Sequence, residues 1–124
     1  MTINNLVKTA HDAAVKKGFY GEDKNIGELL MLVVSELGEA LEAHRYGRMC
    51  GDDIQILSEM CQQLVVFPIK EYEANIQGTF EEEIADTFIR LGDLCGYLGI
   101  NIEMHIKAKM EYNKTRPEKH GKDY

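Results

Sequence analysis

The chain has 124 residues, of which 28% are charged and 44% hydrophobic, and its formal net charge at pH 7 is -7. This length suits one globular domain, and the acidic balance argues against a general binder of nucleic acids or anionic membranes. No apolar run reaches the roughly 18–20 residues that span a bilayer, and no signal-peptide pattern is found, so we expect a cytoplasmic protein. The widely spaced cysteines, Cys50, Cys61 and Cys95, are predicted to be buried free thiols.

The first two predicted helices are amphipathic. Apolar residues recur at helical spacing from Ile3 and predict a first helix that ends near Gly18. Asn25, with Glu28 three residues later, resembles a capping box that opens a second helix, which we expect to end at about Arg45. On this helix one apolar stripe is expected to face the core: Leu30, Val33, Val34, Leu37 and Leu41. The solvent side is assigned to Ser35, Gly38 and Glu42.

The middle of the chain is predicted to hold a third helix. It begins behind Asp52 or Asp53 as N-cap and is expected to end before Pro68. Residues 70–78 are ambiguous and compatible with one more short helix.

The last two helices are predicted from their caps and stop signals. Thr79 and Glu82 form a full capping-box signature, and the helix they open should stop at Gly99. Asn101 is expected to cap a final helix that runs to about Thr115. Because no segment shows strand alternation, the sequence predicts an all-α bundle of about five helices. Because apolar stripes occur on more than one helix face, we expect a homodimer or homotetramer.

Carboxylates adjoin the apolar stripes on two of these helices. Glu36 and Glu39 lie beside the stripe of the second helix, and Glu83 and Asp86 lie on the penultimate helix. Burying unpaired carboxylates is unfavourable by several kcal/mol, so such faces need cations or proton uptake. If the two helices pack side by side, the four acids would form an oxygen-only site suited to Mg²⁺ or Mn²⁺. The alternative is two solvated acidic faces, with Asp86 and Arg90 forming an exposed salt bridge.

Three segments, SELGEALEAH, FEEEIADTFIRLGDLCGYLGI and KMEYNKTRPEKHGK, together resemble the MazG-like nucleotide pyrophosphohydrolases of the all-α NTP pyrophosphatase superfamily. The Glu-x-x-Glu and Glu-x-x-Asp motifs of that family match Glu36/Glu39 and Glu83/Asp86. The resemblance covers most of the chain and implies a single domain over residues 1–124. Because the two motifs lie farther apart than in compact members, we expect a helical insertion at about residues 46–78.

The resemblance implies Mg²⁺-dependent hydrolysis of a nucleoside triphosphate between its α- and β-phosphates, which yields the monophosphate and pyrophosphate. Glu39, Glu83 and Asp86 would then be chiefly metal ligands, with Mn²⁺ as a possible substitute ion. Glu36 would be both a ligand and the base that takes a proton from water. The absence of a G-x-x-x-x-G-K-[ST] loop from the sequence excludes P-loop kinases and motors.

The C-terminal segment carries three further candidates. The resemblance implies that Lys109, Asn113 and Arg116 contact the nucleotide phosphates, Arg116 through its planar fork and Lys109 as a point charge. The alternative for the two cations is a helix C-terminus, where the macrodipole favours positive charge.

Two alternatives to a general hydrolase of nucleoside triphosphates stay open. One is a nucleotide-specific enzyme, such as a dUTP, dCTP or phosphoribosyl-ATP pyrophosphatase. The other is a non-catalytic helical protein whose acidic faces bind a basic partner and whose apolar stripes form an oligomer.

Overall fold

A computed structural model describes residues 1–123 of the chain, apart from the side chain of His120. Within this part, the protein is all-helical and has no strand, which confirms the predicted fold class. The helices are α1 Ile3–Lys16, α2 Ile26–Arg45, α3 Asp53–Gln63, α4 Ile69–Asn75, α5 Phe80–Leu98 and α6 Ile102–Lys114, followed by a 3₁₀ turn at Glu118–Gly121. Over the same residues, no helix combines the length and the apolar content needed to cross a bilayer.

Side-chain caps begin two helices where the sequence predicts them. Asn25 Oδ1 accepts a hydrogen bond from the Glu28 N–H at 3.1 Å, and Asn101 Oδ1 accepts one from the Met104 N–H at 3.3 Å. Each bond satisfies an N–H group that has no partner inside its own helix. α5 is followed by Gly99, whose φ of 66° glycine adopts without strain.

The capping box at the start of α5 forms on one side. Thr79 Oγ1 accepts a hydrogen bond from the Glu82 N–H at 3.3 Å, as predicted. The Glu82 carboxylate, however, accepts from the Gly78 N–H at 2.8 Å, and the Thr79 N–H donates to the Ile76 carbonyl. Hydrogen bonds therefore connect the start of α5 to the turn at residues 76–78 that precedes it.

The chain divides into two compact units, and the boundary falls within α5. The first unit contains Met1–Glu22 and Gly92–Tyr124, and the second contains Asp23–Leu91. In the first unit, α1 packs against α6 and against the last turns of α5. Gly96 permits this close approach, because a Cβ at that position would lie 2.5 Å from the Cβ of His11.

In the second unit, α2 buries a different face from the one predicted. The buried residues are Val33, Glu36, Ala40 and Ala43. Four of the five residues expected to face the core are instead about half exposed: Leu30 at 48%, Val34 at 51%, Leu37 at 47% and Leu41 at 52%. The predicted core stripe is therefore wrong except for Val33. Helical periodicity identifies residues that share a face, but it does not identify which face meets another element.

The third helix is shorter than predicted. α3 ends at Gln63, and Leu64 already has an extended backbone with φ -99° and ψ 144°. The residue before a proline is disfavoured in the α region, and consecutive β-branched residues lower helix propensity further. The segment between α3 and Pro68 is consequently a loop of exposed apolar residues: Leu64, Val65, Val66 and Phe67.

The ambiguous segment after Pro68 contains the short helix α4. α3 and α4 belong to a small core formed by Cys50, Leu57 and Ile76, against which Tyr72 packs. The region predicted as an insertion, residues 46–78, thus has a local apolar core of its own.

All three cysteines are free thiols, as predicted. Cys50 and Cys95 are buried, whereas Cys61 on α3 is exposed, so the prediction of burial is wrong for Cys61. Burial raises the pKa of the Cys95 thiol.

Candidate metal centre

Three carboxylates of the second unit converge where α2 and the start of α5 meet. One carboxylate oxygen from each of Glu36, Glu39 and Glu83 lies within 4.8 Å of the others. Glu36 is only 6% exposed, Glu83 is half-buried and Glu39 is exposed. These three residues, called the acidic cluster below, therefore form a site with a buried end and an open end.

Arg90 supplies a positive charge at the buried end of the acidic cluster. Its Nε donates a short hydrogen bond to Glu36 Oε1. The sequence left an exposed salt bridge between Arg90 and Asp86 as an alternative. The ion pair that forms is with Glu36, so one guanidinium pairs with one of the three carboxylates.

The three carboxylates perturb one another's pKa values. Burial, followed by the charges of Glu39 and Glu36, raises the pKa of Glu83 to about 7. The hydrogen bond and charge of Glu36 raise the pKa of Glu39. Burial acts to raise the pKa of Glu36, but hydrogen bonds led by that of Arg90 outweigh it and hold this pKa below its usual value. At neutral pH the acidic cluster therefore retains part of a proton, whose place a cation can take.

The fourth predicted ligand, Asp86, lies on α5 one turn after Glu83. Among the side chains described here, it is outside the group whose oxygens lie within 4.8 Å of one another. It still senses the acidic cluster, because burial, and then the charges of Glu36 and Glu82, raise the pKa of Asp86. The structure thus brings together three of the four predicted ligands, and the role of Asp86 stays a prediction.

The two acids that precede Glu83 have hydrogen-bond donors of their own. Glu81 Oε2 accepts a hydrogen bond from the Cys50 N–H at 2.8 Å. Glu82 accepts from the Gly78 N–H at 2.8 Å and, in a short hydrogen bond, from the Tyr72 hydroxyl. These bonds attach residues 46–78 to the start of α5. Of three consecutive glutamates, the third alone belongs to the acidic cluster.

The three predicted phosphate-binding residues belong to the first unit, on α6 and just after it. Lys109 Nζ lies 4.8 Å and Arg116 Cζ 5.7 Å from the centre of the Tyr112 ring, at cation–π distance. Asn113 Oδ1 is buried and accepts no hydrogen bond from any other described residue. The two cations therefore lie at one aromatic ring near the end of α6.

The first unit holds a further group of titratable side chains, which the sequence does not predict to lie together. His11 Nδ1 lies 2.9 Å from Asp93 Oδ1, and the rings of Tyr20 and Tyr97 stack at 4.8 Å. His11 meets the Tyr20 ring edge-on at 4.9 Å. These residues come from α1, the loop after it and the end of α5, so helical spacing within one segment does not reveal that they are neighbours.

Comparison of the chain with protein-family models, with curated proteins and with solved structures finds no match. No relative therefore assigns a role to the acidic cluster. Its function has to be inferred from its own geometry and charge, together with the motifs quoted above.

Proposed function

We propose that the protein is a Mg²⁺-dependent nucleoside triphosphate pyrophosphohydrolase that converts a (d)NTP to a (d)NMP and pyrophosphate. The observation that supports this most directly is the convergence of Glu36, Glu39 and Glu83 within 4.8 Å. Sites made only of carboxylate oxygens favour hard divalent cations, with Mg²⁺ preferred and Mn²⁺ a possible substitute.

The charges of the acidic cluster fit such an ion. Only Glu36 of the three carboxylates pairs with a guanidinium, and burial together with the neighbouring carboxylates raises the pKa of Glu83 to about 7, so a bound cation would stabilise the ionised cluster. Glu36, Glu39 and Glu83 would hold the ion, and Asp86 is proposed as the fourth ligand. When bound, Mg²⁺ supplies charge neutralisation of the polyphosphate and lowers the pKa of a bound water.

Glu36 is the proposed acceptor of the proton that the attacking water loses. Its hydrogen bond from Arg90 supports this role by orienting the carboxylate and by keeping its pKa low, so that the group is ionised at neutral pH. A low pKa also makes Glu36 a weak base. Glu83, with a pKa of about 7, is the alternative proton acceptor.

Lys109, Asn113 and Arg116 are proposed to bind the nucleotide phosphates. Their charges and the resemblance support this role for the two cations. The buried Asn113 oxygen supports a ligand contact at that residue, because a buried acceptor without a donor is unfavourable by about 1–3 kcal/mol. We further propose a cytoplasmic homodimer or homotetramer that acts without nucleic-acid or membrane partners.

The decisive experiment measures pyrophosphate release from a panel of canonical and modified nucleoside triphosphates, with Mg²⁺ and with EDTA. We expect Mg²⁺-dependent release, and a preference for one nucleotide would identify a specific pyrophosphatase. Thermal melting in a Mg²⁺ titration, with NaCl at matched ionic strength as control, reports metal binding separately. Absence of both release and specific Mg²⁺ stabilisation would instead favour the non-catalytic helical protein.

A further inference from the structure

The hydroxyl of Tyr72, on α4, lies at the acidic start of α5. It donates a short hydrogen bond to Glu82 Oε2, and the Gly78 N–H donates to Glu82 Oε1 at 2.8 Å. Both carboxylate oxygens of Glu82 therefore have donors in the segment that precedes α5. These residues belong to the second unit, which also contains the acidic cluster.

Glu82 is a neighbour of two proposed metal ligands. It directly precedes Glu83, and Asp86 follows one turn later, at a spacing that places the side chains of Glu82 and Asp86 on one helix face. The charge of Glu82 contributes, after burial and the charge of Glu36, to the raised pKa of Asp86. Burial and the hydrogen bond to Glu82, followed by the charges of Asp86 and Glu83, raise the pKa of the Tyr72 hydroxyl. The Tyr72–Glu82 pair therefore lies beside the proposed metal centre.

Packing fixes the ring that carries this hydroxyl. Tyr72 packs against the small core to which α3 and α4 belong. In a complete capping box, the Glu82 carboxylate would accept a hydrogen bond from the backbone N–H of Thr79. That N–H donates to the Ile76 carbonyl instead, and Glu82 accepts from Tyr72 and Gly78. Glu82 is therefore held by residues 72–78 and not by the cap of its own helix.

An additional carboxylate would change which ion the proposed metal centre prefers. Ca²⁺ takes about six to eight oxygen ligands in flexible geometry, whereas Mg²⁺ requires a near-octahedral arrangement and keeps several of its waters. Glu82 would add one carboxylate to the ligands proposed above and displace water from the ion. A site with this extra charged ligand favours Ca²⁺. Holding Glu82 outside the acidic cluster therefore favours Mg²⁺.

We propose that Tyr72 determines the ion specificity of the metal centre, because its hydroxyl holds Glu82 away from the acidic cluster and so disfavours Ca²⁺ relative to Mg²⁺. Tyr72 acts through Glu82 and is a positioning residue. Without the hydroxyl, one neutral N–H donor is left to Glu82, and a divalent cation attracts the carboxylate more strongly than that donor does. The inference rests on the proposed function, since it takes the acidic cluster to be a metal site.

Calorimetric titration of the full, metal-free chain with MgCl₂ and with CaCl₂ tests the proposal through the ratio of the two dissociation constants. In Tyr72→Phe this ratio should shift toward Ca²⁺ by roughly ten-fold, because one charged ligand is released. The phenyl ring keeps its packing, so circular dichroism should show wild-type helix content. Tyr46→Phe removes an exposed hydroxyl of the same unit and is the matched control, which should keep the wild-type ratio. Equal weakening of both ions in Tyr72→Phe would mean a purely structural role and overturn the proposal.

A double variant shows whether Glu82 is the group that Tyr72 restrains. Tyr72→Phe/Glu82→Ala should return the ratio to the wild-type value, because no carboxylate is left to be released, and Glu82→Ala alone should not move it. A shift toward Ca²⁺ that persists in the double variant would assign it to another group and overturn the proposal. Mg²⁺ binding by the wild type with an unchanged ratio in Tyr72→Phe would overturn this inference alone. If the wild type bound neither ion, the proposed function would fail with it.

Discussion

The second unit holds two groups of glutamates that differ in their hydrogen-bond partners. One group is Glu81 and Glu82, and the other is the acidic cluster. Glu81 and Glu82 accept hydrogen bonds from the N–H groups of Cys50 and Gly78, and Glu82 also accepts one from a tyrosine hydroxyl. The carboxylates of the acidic cluster face one another, and Arg90 pairs with one of them. The difference lies in the hydrogen-bond donors, because all five of these acids are glutamates and Glu81 and Glu82 adjoin Glu83 in the sequence.

This comparison separates two uses of a glutamate on a helix. A carboxylate that accepts N–H and O–H donors joins a preceding segment to the helix and needs no further partner. A carboxylate that faces other carboxylates keeps unfavourable repulsion until a proton or a cation arrives. Mutations of the two sets should therefore affect different quantities, stability in the first and Mg²⁺-dependent activity in the second.

The largest expected effect is loss of activity in Glu39→Ala. Removing an exposed carboxylate of the acidic cluster should lower kcat/KM for pyrophosphate release by at least about 10³-fold, because metal stabilisation of the transition state is worth several kcal/mol. Circular dichroism should show unchanged helix content. Glu42→Ala, on the exposed side of the same helix, is the control and should keep full activity.

Asp86→Ala is expected to cause a loss similar to that of Glu39→Ala if Asp86 is the fourth ligand. A folded Glu39→Ala variant with wild-type, Mg²⁺-dependent turnover would contradict the assignment of the acidic cluster. A small effect at Asp86 alone would restrict the site to the three carboxylates that converge.

Replacing a cation that is predicted to bind phosphate should have a smaller effect on activity than replacing a predicted metal ligand. Arg116→Ala should raise KM for the triphosphate roughly ten- to a hundred-fold, because one charge-assisted hydrogen bond to phosphate contributes about 1.5–3 kcal/mol. Lys107→Ala removes another cation of α6, one that pairs with Glu103, and serves as the matched control. Truncation after Met110 should weaken triphosphate binding more than Mg²⁺ binding. Wild-type kcat/KM in both Arg116→Ala and the truncation would leave the C-terminal segment as a helix end.

Glu82→Ala should lower stability and leave the Mg²⁺ response unchanged. It deprives the Gly78 N–H and the Tyr72 hydroxyl of their acceptor, so the free energy of unfolding should fall by about 1–3 kcal/mol in urea titrations. Glu73→Ala removes an exposed acid from α4 and controls for the change in net charge. If Glu82→Ala keeps its stability but loses its Mg²⁺ response, Glu82 belongs functionally with the acidic cluster.

The smallest expected effect is a dependence of stability on pH that comes from Glu83. Its pKa is about 7 in the folded protein, against an ordinary value of 4.5, so the folded state holds the proton more tightly. Stability of the metal-free protein should therefore fall as pH rises from 4.5 to 7, by about 1–2 kcal/mol after allowance for solvent screening. Urea unfolding in EDTA at pH 5 and pH 8 measures this change. Glu83→Gln should flatten it, and an equally steep dependence in that variant would assign it to other groups.

Local signals predicted the helices well, because caps and stop residues act within a few positions. Asn25, Thr79 and Asn101 each accept the hydrogen bond that a cap provides, and Gly99 follows the end of α5. The end of α3 was predicted too late, because the apolar Leu64 continues the helical spacing although its backbone is extended. The spacing of apolar residues contains no information about helix propensity, which is low for β-branched residues and for the residue before a proline.

The sequence predicted the convergence of acids in part, and their role as a metal site stays a prediction. The glutamate motifs identified Glu36, Glu39 and Glu83, which converge, but not the pair of Glu36 with Arg90. Periodicity orders side chains around one helix and contains no information about which residue of another helix they meet. The same limit explains the incorrect core face of α2, where the buried side holds Ala40 and Glu36 and the apolar stripe stays exposed.

The unequal burial of the cysteines gives the chain one accessible thiol and two protected ones. Thiolates are the reactive species, and burial both shields Cys95 and raises its pKa. Alkylation of the native protein by a maleimide should therefore be fast at Cys61 and then stop until the chain unfolds. Cys61 is thus a single attachment point for a fluorophore or spin label without further mutation, and the two buried thiols report unfolding by their delayed modification.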